Sequence, residues 1–417
     1  MMPAATDRVT VINSESWTGR ATRAEINLDA IAFNVRSLCS LLSGAELMAV
    51  VKGNAYGHGA VAVARIALEH GATRLGVYTM AEGVELRRAG IPCPVLVFGP
   101  FQGDEARHAC LYDLTPTISS IAAGEMLQQH STGRPIRFHL KIDTGLHRSG
   151  VSAAEATDLL HGLQQFPSLQ REGLYTHFAC SDEPERDCTS AQLSLFLRTA
   201  RELEAAGFAF PFKHAANSAA TLSRTDTHLD LVRAGISLYG YYPSSEIAPV
   251  VPLQAALSLR SRVARVHTIP AGAGVGYGYD FVAERPTYLA LAPVGYGDGL
   301  PRSLGNGRGR VLVHGTAAPI VGRVSMDQIT VDVTDIGDVM AGDEIVLIGA
   351  QGANWQDAAQ LAAQADTISY DILTGLLPRV PRRYVGDPRL VAQATGVPQI
   401  SEASASRPAC YRETRTP

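Results

Sequence analysis

Between residues 24 and 245, short apolar runs alternate with stretches of helical period, and this alternation constrains the fold more than any other feature of the chain. AEINL (24 to 28) alternates as a strand does, and Asp29 then opens a helix in which Ile31, Val35, Leu38 and Leu42 share one face. The unit recurs as MAVV before Lys52, a helix over 60 to 70 closed by Gly71, LGVY (75 to 78), a helix over 81 to 89 closed by Gly90, and PVLVF (94 to 98). It continues through IRFHLKI (136 to 142), a helix announced by the capping-box spacing of Ser152 and Glu155, GLYTHF (173 to 178), a long amphipathic helix with Leu193, Phe196, Leu197, Ala200 and Leu203, and LVRAGISLYG (231 to 240). About eight such units fill the span of a (β/α)8 barrel, with an open doubly wound sheet as the alternative.

Beyond residue 250 the pattern changes. ALSLRSRVARVHTI, TYLALAPV, GRVLVHG, PIVGRV, QITVDVT and DEIVLIG are short alternating or branched runs between glycine turns, which predicts a mostly antiparallel β domain with two helices near 355 to 365 and 367 to 376. The expected organisation is a flexible extension (1–22), a barrel (23–250), a β domain (251–384) and a flexible tail (385–417) rich in Ala, Ser, Pro and Arg. A net charge of −4 with 46% hydrophobic residues gives no basis for nucleic-acid or anionic-membrane binding. Six cysteines without CxxC spacing suit reduced thiols and no metal, and the absence of an apolar leader or spanning run predicts a cytoplasmic protein.

Lysine occurs only at 52, 141 and 213, whereas the other 33 basic residues are arginine. A lysine in so arginine-rich a chain is a candidate for what arginine cannot do, such as forming a Schiff base, and Lys52 ends an apolar strand before the glycine-rich loop GNAYGHG. Barrel enzymes place reactive groups at the C-terminal ends of strands. Lys52 and Tyr56, then Lys141, Asp143 and Arg148, then His177, Asn217 and Ser218, and finally Arg233, Gly235 and Ile236 all fall there. Tyr56, Ser218, the amide after Gly235 and Tyr370 could furnish donors for a phosphate. PAGAGVGYGYD (270 to 280) lacks the strand-to-helix transition of a dinucleotide fingerprint, so Tyr277 within it reads either as a packed turn residue or as a proton carrier.

The succession VVKGNAYGHG, KIDTG with Arg148, THFA, HAANSAA, RAGISLYG, GYG (276 to 278), VGYGDGLPR, GRVSMDQ and SYDILTGL with RVPR resembles the motifs of alanine racemases, in order, from about residue 24 to 384. The resemblance implies a barrel followed by a β domain, pyridoxal 5'-phosphate as cofactor, and a homodimer with shared sites that interconverts L- and D-alanine and supplies D-alanine for peptidoglycan. It implies that Lys52 bears the cofactor and acts as base on one face of the substrate, and that Tyr277 is the base on the other. Removing a Cα proton from one side and returning one to the opposite side requires two groups. It further implies that Tyr56, Ser218, Gly235, Ile236 and Tyr370 cradle the phosphate and that Asn217 belongs to the cofactor site. On the same resemblance, Arg233 is implied to face the pyridine nitrogen with His177 as its partner, and Arg148, Tyr296, Met326 and Asp327 to attend the substrate. Lys141 corresponds to a lysine carbamylated in many family members; an unmodified lysine paired with Asp143 is the other reading.

Departures from the family pattern flank these positions: Leu146, His147, Ser149, Gly276 and Ser325 stand where other residues are common. Three further readings remain beside alanine racemisation. A broad-specificity amino-acid racemase is the nearest. A barrel-fold amino-acid decarboxylase ordinarily carries an HxGS loop and a β-domain cysteine acid that this chain lacks. A non-catalytic pyridoxal-phosphate binding protein would have no second domain.

Overall fold

The computed structural model describes residues 19–396. Eight parallel strands form a nearly closed barrel sheet in the order Leu231–Ala234, Glu46–Val50, Arg74–Val77, Val95–Val97, Thr115–Ile118, Ile136–Asp143, Leu169–Tyr175 and Phe212–His214. The two end strands approach through Asp230 N donating to Lys213 O at 3.1 Å and Arg233 N donating to Ala216 O at 3.1 Å. Strands such as Leu47 to Val50 are buried on both faces, which is why they read as unbroken apolar runs. Helix starts are fixed locally: Asn27 Oδ1 accepts from Ala30 N, and Thr79 and Glu82 form a reciprocal capping box before Met80–Arg88.

The second sheet is antiparallel except at one edge. It runs Arg265–Ile269, Thr287–Ala292, Ile329–Asp332, Thr316–Val321, Arg310–Val313, Glu344–Gln351, Leu257–Arg262, Arg23–Asn27 and Arg382–Val385. Three expectations are corrected here. The first strand, Arg23–Asn27, belongs to this sheet and not to the barrel: it lies antiparallel to Leu257–Arg262, with Ile26 opposite Leu257, and parallel to Arg382–Val385. Its alternation specified one buried face but not which sheet would supply the neighbours. The segment just before it is tied down, because Thr22 is buried with its hydroxyl 2.8 Å from Ser261 Oγ.

The third correction concerns the tail. Pro388–Thr395 is a helix, started by Asp387 accepting from Arg389 N, and its Val391 and Ala394 are buried. Two apolar positions three apart suffice for docking on a neighbouring helix, yet they are too few to register as a periodic pattern. The rest of both predicted flexible ends, 1–18 and 397–417, lies outside the described residues. Two barrel strands also escaped the sequence reading: Thr115–Ile118 carries Pro116, and Phe212–His214 is only three residues long. Among the described residues, no helix is long and apolar enough to cross a membrane.

Candidate active site

Lys52 follows the strand Glu46–Val50, and the four residues after it turn left-handed. Gly53, Asn54, Ala55 and Tyr56 have φ of 61°, 53°, 52° and 50°. Each non-glycine residue in that region costs about 1 kcal/mol, so the turn persists only because its surroundings hold it. Glu82 Oε1 accepts from Gly53 N at 2.6 Å, and Asn54 Oδ1 accepts from Ala60 N at 2.9 Å. The turn delivers the Tyr56 ring inward, where it packs on Tyr239 at 4.8 Å between centroids and faces Tyr370 at 6.0 Å. Tyr239 is itself fixed by donating to Val50 O at 2.8 Å.

Beside the Tyr56 hydroxyl stands Gly235. A Cβ there would lie 2.6 Å from Tyr56 Oη and 3.8 Å from Ser218 Oγ, so only glycine leaves the space between them open. Ser218 Oγ accepts from Gly235 N at 2.8 Å and from Ser237 Oγ at 3.0 Å, which leaves its own proton to donate to a ligand. Asn217 caps the short helix behind it, accepting from Ala220 N and from the Ser181 hydroxyl.

All of these residues open onto one cavity of about 880 Å³ at the C-terminal end of the barrel, within the range of small-molecule sites. Lys52, Tyr56, Lys141, Arg148, His177, Asn217, Ser218, Arg233, Gly235, Ile236 and Tyr370 all line it, so ten cofactor or lysine assignments and Arg148 are brought together. Four of them are cationic side chains, opposed by the carboxylates of Glu82 and Asp182, an imbalance that favours an anionic occupant. Burial, and next the nearby Arg148 charge, lower the Lys52 ammonium below the usual lysine range, so more of it is the free amine near neutral pH. Lys141 is pushed down to about 8, again by burial first and then by Arg148 and Arg233. The pairing of Lys141 with Asp143 is not present: Lys141 Nζ donates to Ser149 Oγ at 2.6 Å, while Asp143 Oδ1 accepts from Gly145 N and His147 N.

Arg233 is buried and held from several sides. Its Nη2 donates to Thr176 O and Ala215 O, each at 2.8 Å, and lies 3.3 Å from His177 Nδ1, whereas Nη1 meets His214 Nδ1 at 2.8 Å. His214 is therefore the nearer imidazole partner, a role the sequence reading gave to His177 alone. A guanidinium only donates, which fixes the protons along a buried chain. His214 accepts at Nδ1, carries its proton on Nε2 and donates to His139 Nδ1 at 2.8 Å; the proton on His139 Nε2 then points to Glu172 Oε2 at 3.4 Å. Burial and neighbouring cations keep both imidazoles neutral, lowering His214 well below the ordinary value. Burial would raise the Glu172 carboxyl, but the facing His139 and the hydrogen bond from Arg74 outweigh it and bring it to about 2. His214 sits in the HAANSAA stretch at a strand end, so position could have flagged it; His139 and Glu172 lie deeper in their strands and carry no such signal.

The remaining assignments do not reach this cavity within one chain. Tyr277, Tyr296, Met326 and Asp327 lie on the β domain, and Tyr277 is 70% exposed. Tyr277 stands in a turn between Gly276 and Gly278, with φ of 73° and 78°, that projects it outward.

Barrel, second sheet and a cationic cavity with a half-buried amine define the class: a two-domain barrel enzyme whose cavity favours a small anionic ligand. The chain belongs to the alanine racemase family. Residues 26–243 match the model "Alanine racemase, N-terminal domain" and residues 256–384 the model "Alanine racemase, C-terminal domain". It is 41% identical over 374 residues to the alanine racemase of Desulfosudis oleivorans, covering 87% of this chain and 96% of that one. With the enzyme of Symbiobacterium thermophilum the identity is 42%, over 88% and 98% of the two chains. Among solved structures, alanine racemase from Bacillus anthracis with bound L-Ala-P aligns with a TM-score of 0.84 at 38% identity, covering 88% of this chain and 96% of that one. The enzyme from a D-cycloserine-producing Streptomyces lavendulae aligns with a TM-score of 0.84 at 41% identity, over 89% and 98%.

Proposed function

We propose that this chain racemises alanine, with pyridoxal 5'-phosphate as its cofactor and a homodimer as its working form. The observation that carries the reading is the single cavity that joins a half-buried amine, Lys52, to a cradle of Tyr56, Ser218 and Gly235 and to the buried guanidinium of Arg233. The residues fit the cofactor, because the gap that a Cβ at Gly235 would fill is rimmed by two hydroxyls suited to a phosphate. Tyr56, Ser218, Gly235, Ile236 and Tyr370 would hold that phosphate, Asn217 would brace the cradle, Lys52 would take the aldehyde end and Arg233 the ring nitrogen. When bound, the cofactor supplies the electron sink that makes a substrate Cα–H acidic.

The protein's own groups then move protons. Lys52 Nζ, favoured as a free amine by its burial, takes or returns a proton on one face of Cα. The hydroxyl of Tyr277 of the partner subunit does so on the other face. Sharing is supported by the exposure of Tyr277, Tyr296 and Met326, which do not line the barrel-mouth cavity of their own chain. Arg148 would bind the substrate carboxylate, and Met326 and Asp327 would border the substrate from the partner's β domain. A lowered Lys141 amine beside Arg148 is suited to carbamylation, which would turn its charge negative and pair it with that arginine. Arg233 gives no proton away, and an unprotonated ring nitrogen is a weaker sink, which disfavours transamination.

Incubating the purified protein and cofactor with L-alanine in deuterated water tests the proposal. The expected result is deuterium at Cα together with D-alanine. Carbon dioxide release would indicate a decarboxylase, and bound cofactor without exchange would indicate a binding protein; either result overturns the assignment.

A further inference from the structure

Asp298, in the VGYGDGLPR stretch, is completely buried and is met by two arginines from opposite ends of the chain. Arg20 Nη2 donates to its Oδ2 at 2.8 Å, Arg379 Nε donates to its Oδ1 at 2.7 Å, and Gly295 N donates to it at 2.9 Å. Arg20 lies upstream of the residues matched by the family models and is anchored further through Pro293 O at 3.1 Å.

Arg379 does more than neutralise the carboxylate. Its Nη1 donates to Asp327 Oδ1 at 2.8 Å and its Nη2 to Met326 O at 3.1 Å, so one planar fan of donors spans three acceptors. The loop it reaches is in backbone contact with the Tyr296 turn. Gly297 N donates to Met326 O at 2.7 Å, Tyr296 N donates to Ser325 O at 3.1 Å, and a Cβ at Gly295 would stand 2.5 Å from Met326 O. Met326 and Asp327 are themselves exposed between the buried Val324 and Ile329, so their own side chains do not hold the bend in place. Its position depends on these few polar links, which converge on Asp298.

We infer that Arg20 and Arg379, gathered on Asp298, are positioning residues that set the Met326–Asp327 backbone against the substrate in the neighbouring subunit's site. The inference rests on the proposed function, in which Met326 and Asp327 border the substrate.

Arg379→Lys keeps the charge but cannot reach three acceptors, and Arg20→Gln removes one leg of the anchor. Each variant is loaded with cofactor, and kcat, KM for both alanine enantiomers, cofactor affinity and melting temperature are measured. Misplacement of a substrate-bordering backbone predicts a rise in KM of about tenfold for Arg379→Lys and about threefold for Arg20→Gln. Cofactor affinity should be unchanged, because the cradle, Tyr370 apart, belongs to the barrel.

Hybrids give a readout that a general structural role would not move. When Lys52→Ala protein is mixed with Tyr277→Phe protein, the working site takes its β-domain groups from the Lys52→Ala chain. Arg379→Lys should raise KM when placed on that chain and leave it unchanged on the Tyr277→Phe chain. Equal effects from both placements, or an unaltered KM in folded Arg379→Lys protein, would overturn the inference while wild-type racemisation stands. If hybrids recover no activity, the KM of the single variants decides. Wild-type protein that does not racemise alanine overturns the underlying reading and this inference with it.

Discussion

The barrel mouth and the outer loops of the β domain, the two halves of the proposed chemistry, are built in opposite ways. At the barrel mouth Lys52, Tyr56, Ser218 and Arg233 are enclosed, with Ser218 and Arg233 anchored by hydrogen bonds and the Lys52 and Arg233 cations lowered by burial. On the β domain Tyr277 and Met326 are exposed on loops held by polar links. The first region is preorganised in the isolated chain. The second presents its side chains to solvent in the isolated chain, which is the observation behind the shared-site proposal.

Removing one group from each half should separate them most sharply. Lys52→Ala is expected to abolish both racemisation, by about ten-thousandfold or more, and the visible absorbance of lysine-bound cofactor. Tyr277→Phe is expected to lose roughly a thousandfold in kcat while cofactor absorbance persists. Turnover near wild type in both directions for that variant would break the division of labour. Mixing the two inactive proteins should restore part of the activity; no recovery after demonstrated subunit exchange would count against sharing. Within the barrel half, Ser218→Ala should weaken cofactor binding by about tenfold without moving KM for alanine, measured by equilibrium titration.

The smallest effect on activity is expected at the foot of the buried chain. Glu172 is ionised down to about 2 in the folded protein, against 4.5 as its ordinary value. A depressed carboxyl contributes stability above the ordinary value and loses it as pH falls toward the folded one. Glu172→Gln should therefore cost up to about 3 kcal/mol at pH 7 with little loss of activity, because Arg74 keeps its bond to Glu46, and the gap from wild type should shrink between about pH 4.5 and 2. A gap that widens on acidification, in denaturant titrations, would contradict the assigned proton positions.

How much of this could be read beforehand differs between the two halves for related reasons. Lys52 and Tyr56 were legible because a scarce residue type and a glycine cluster coincide at a strand end. Arg233 and Gly235 were legible because a polar residue interrupts an apolar run. His139, Glu172 and Asp298 gave no such signal, since a buried charge is recognisable only once its partners are known, and those lie far off in sequence. Tyr277 was recognised by resemblance alone, as its glycine turn is common to many β hairpins. The misplaced first strand has the same origin: alternation reports that a face is buried but not against what.

The position of that strand also bears on how the molecule is made. Arg23–Asn27 is made before every other described strand, yet its neighbours are Leu257–Arg262 and Arg382–Val385, the latter about 360 residues later. At translation rates of roughly 5–20 residues per second the strand waits on the order of tens of seconds for its second neighbour. During that interval it is an unpaired edge at the head of a growing barrel, a hazard for association with other nascent chains. A chain cut near residue 250 would keep that edge permanently open, so the barrel is not expected to be expressible as a free-standing unit, even though it holds the whole cofactor cradle except Tyr370.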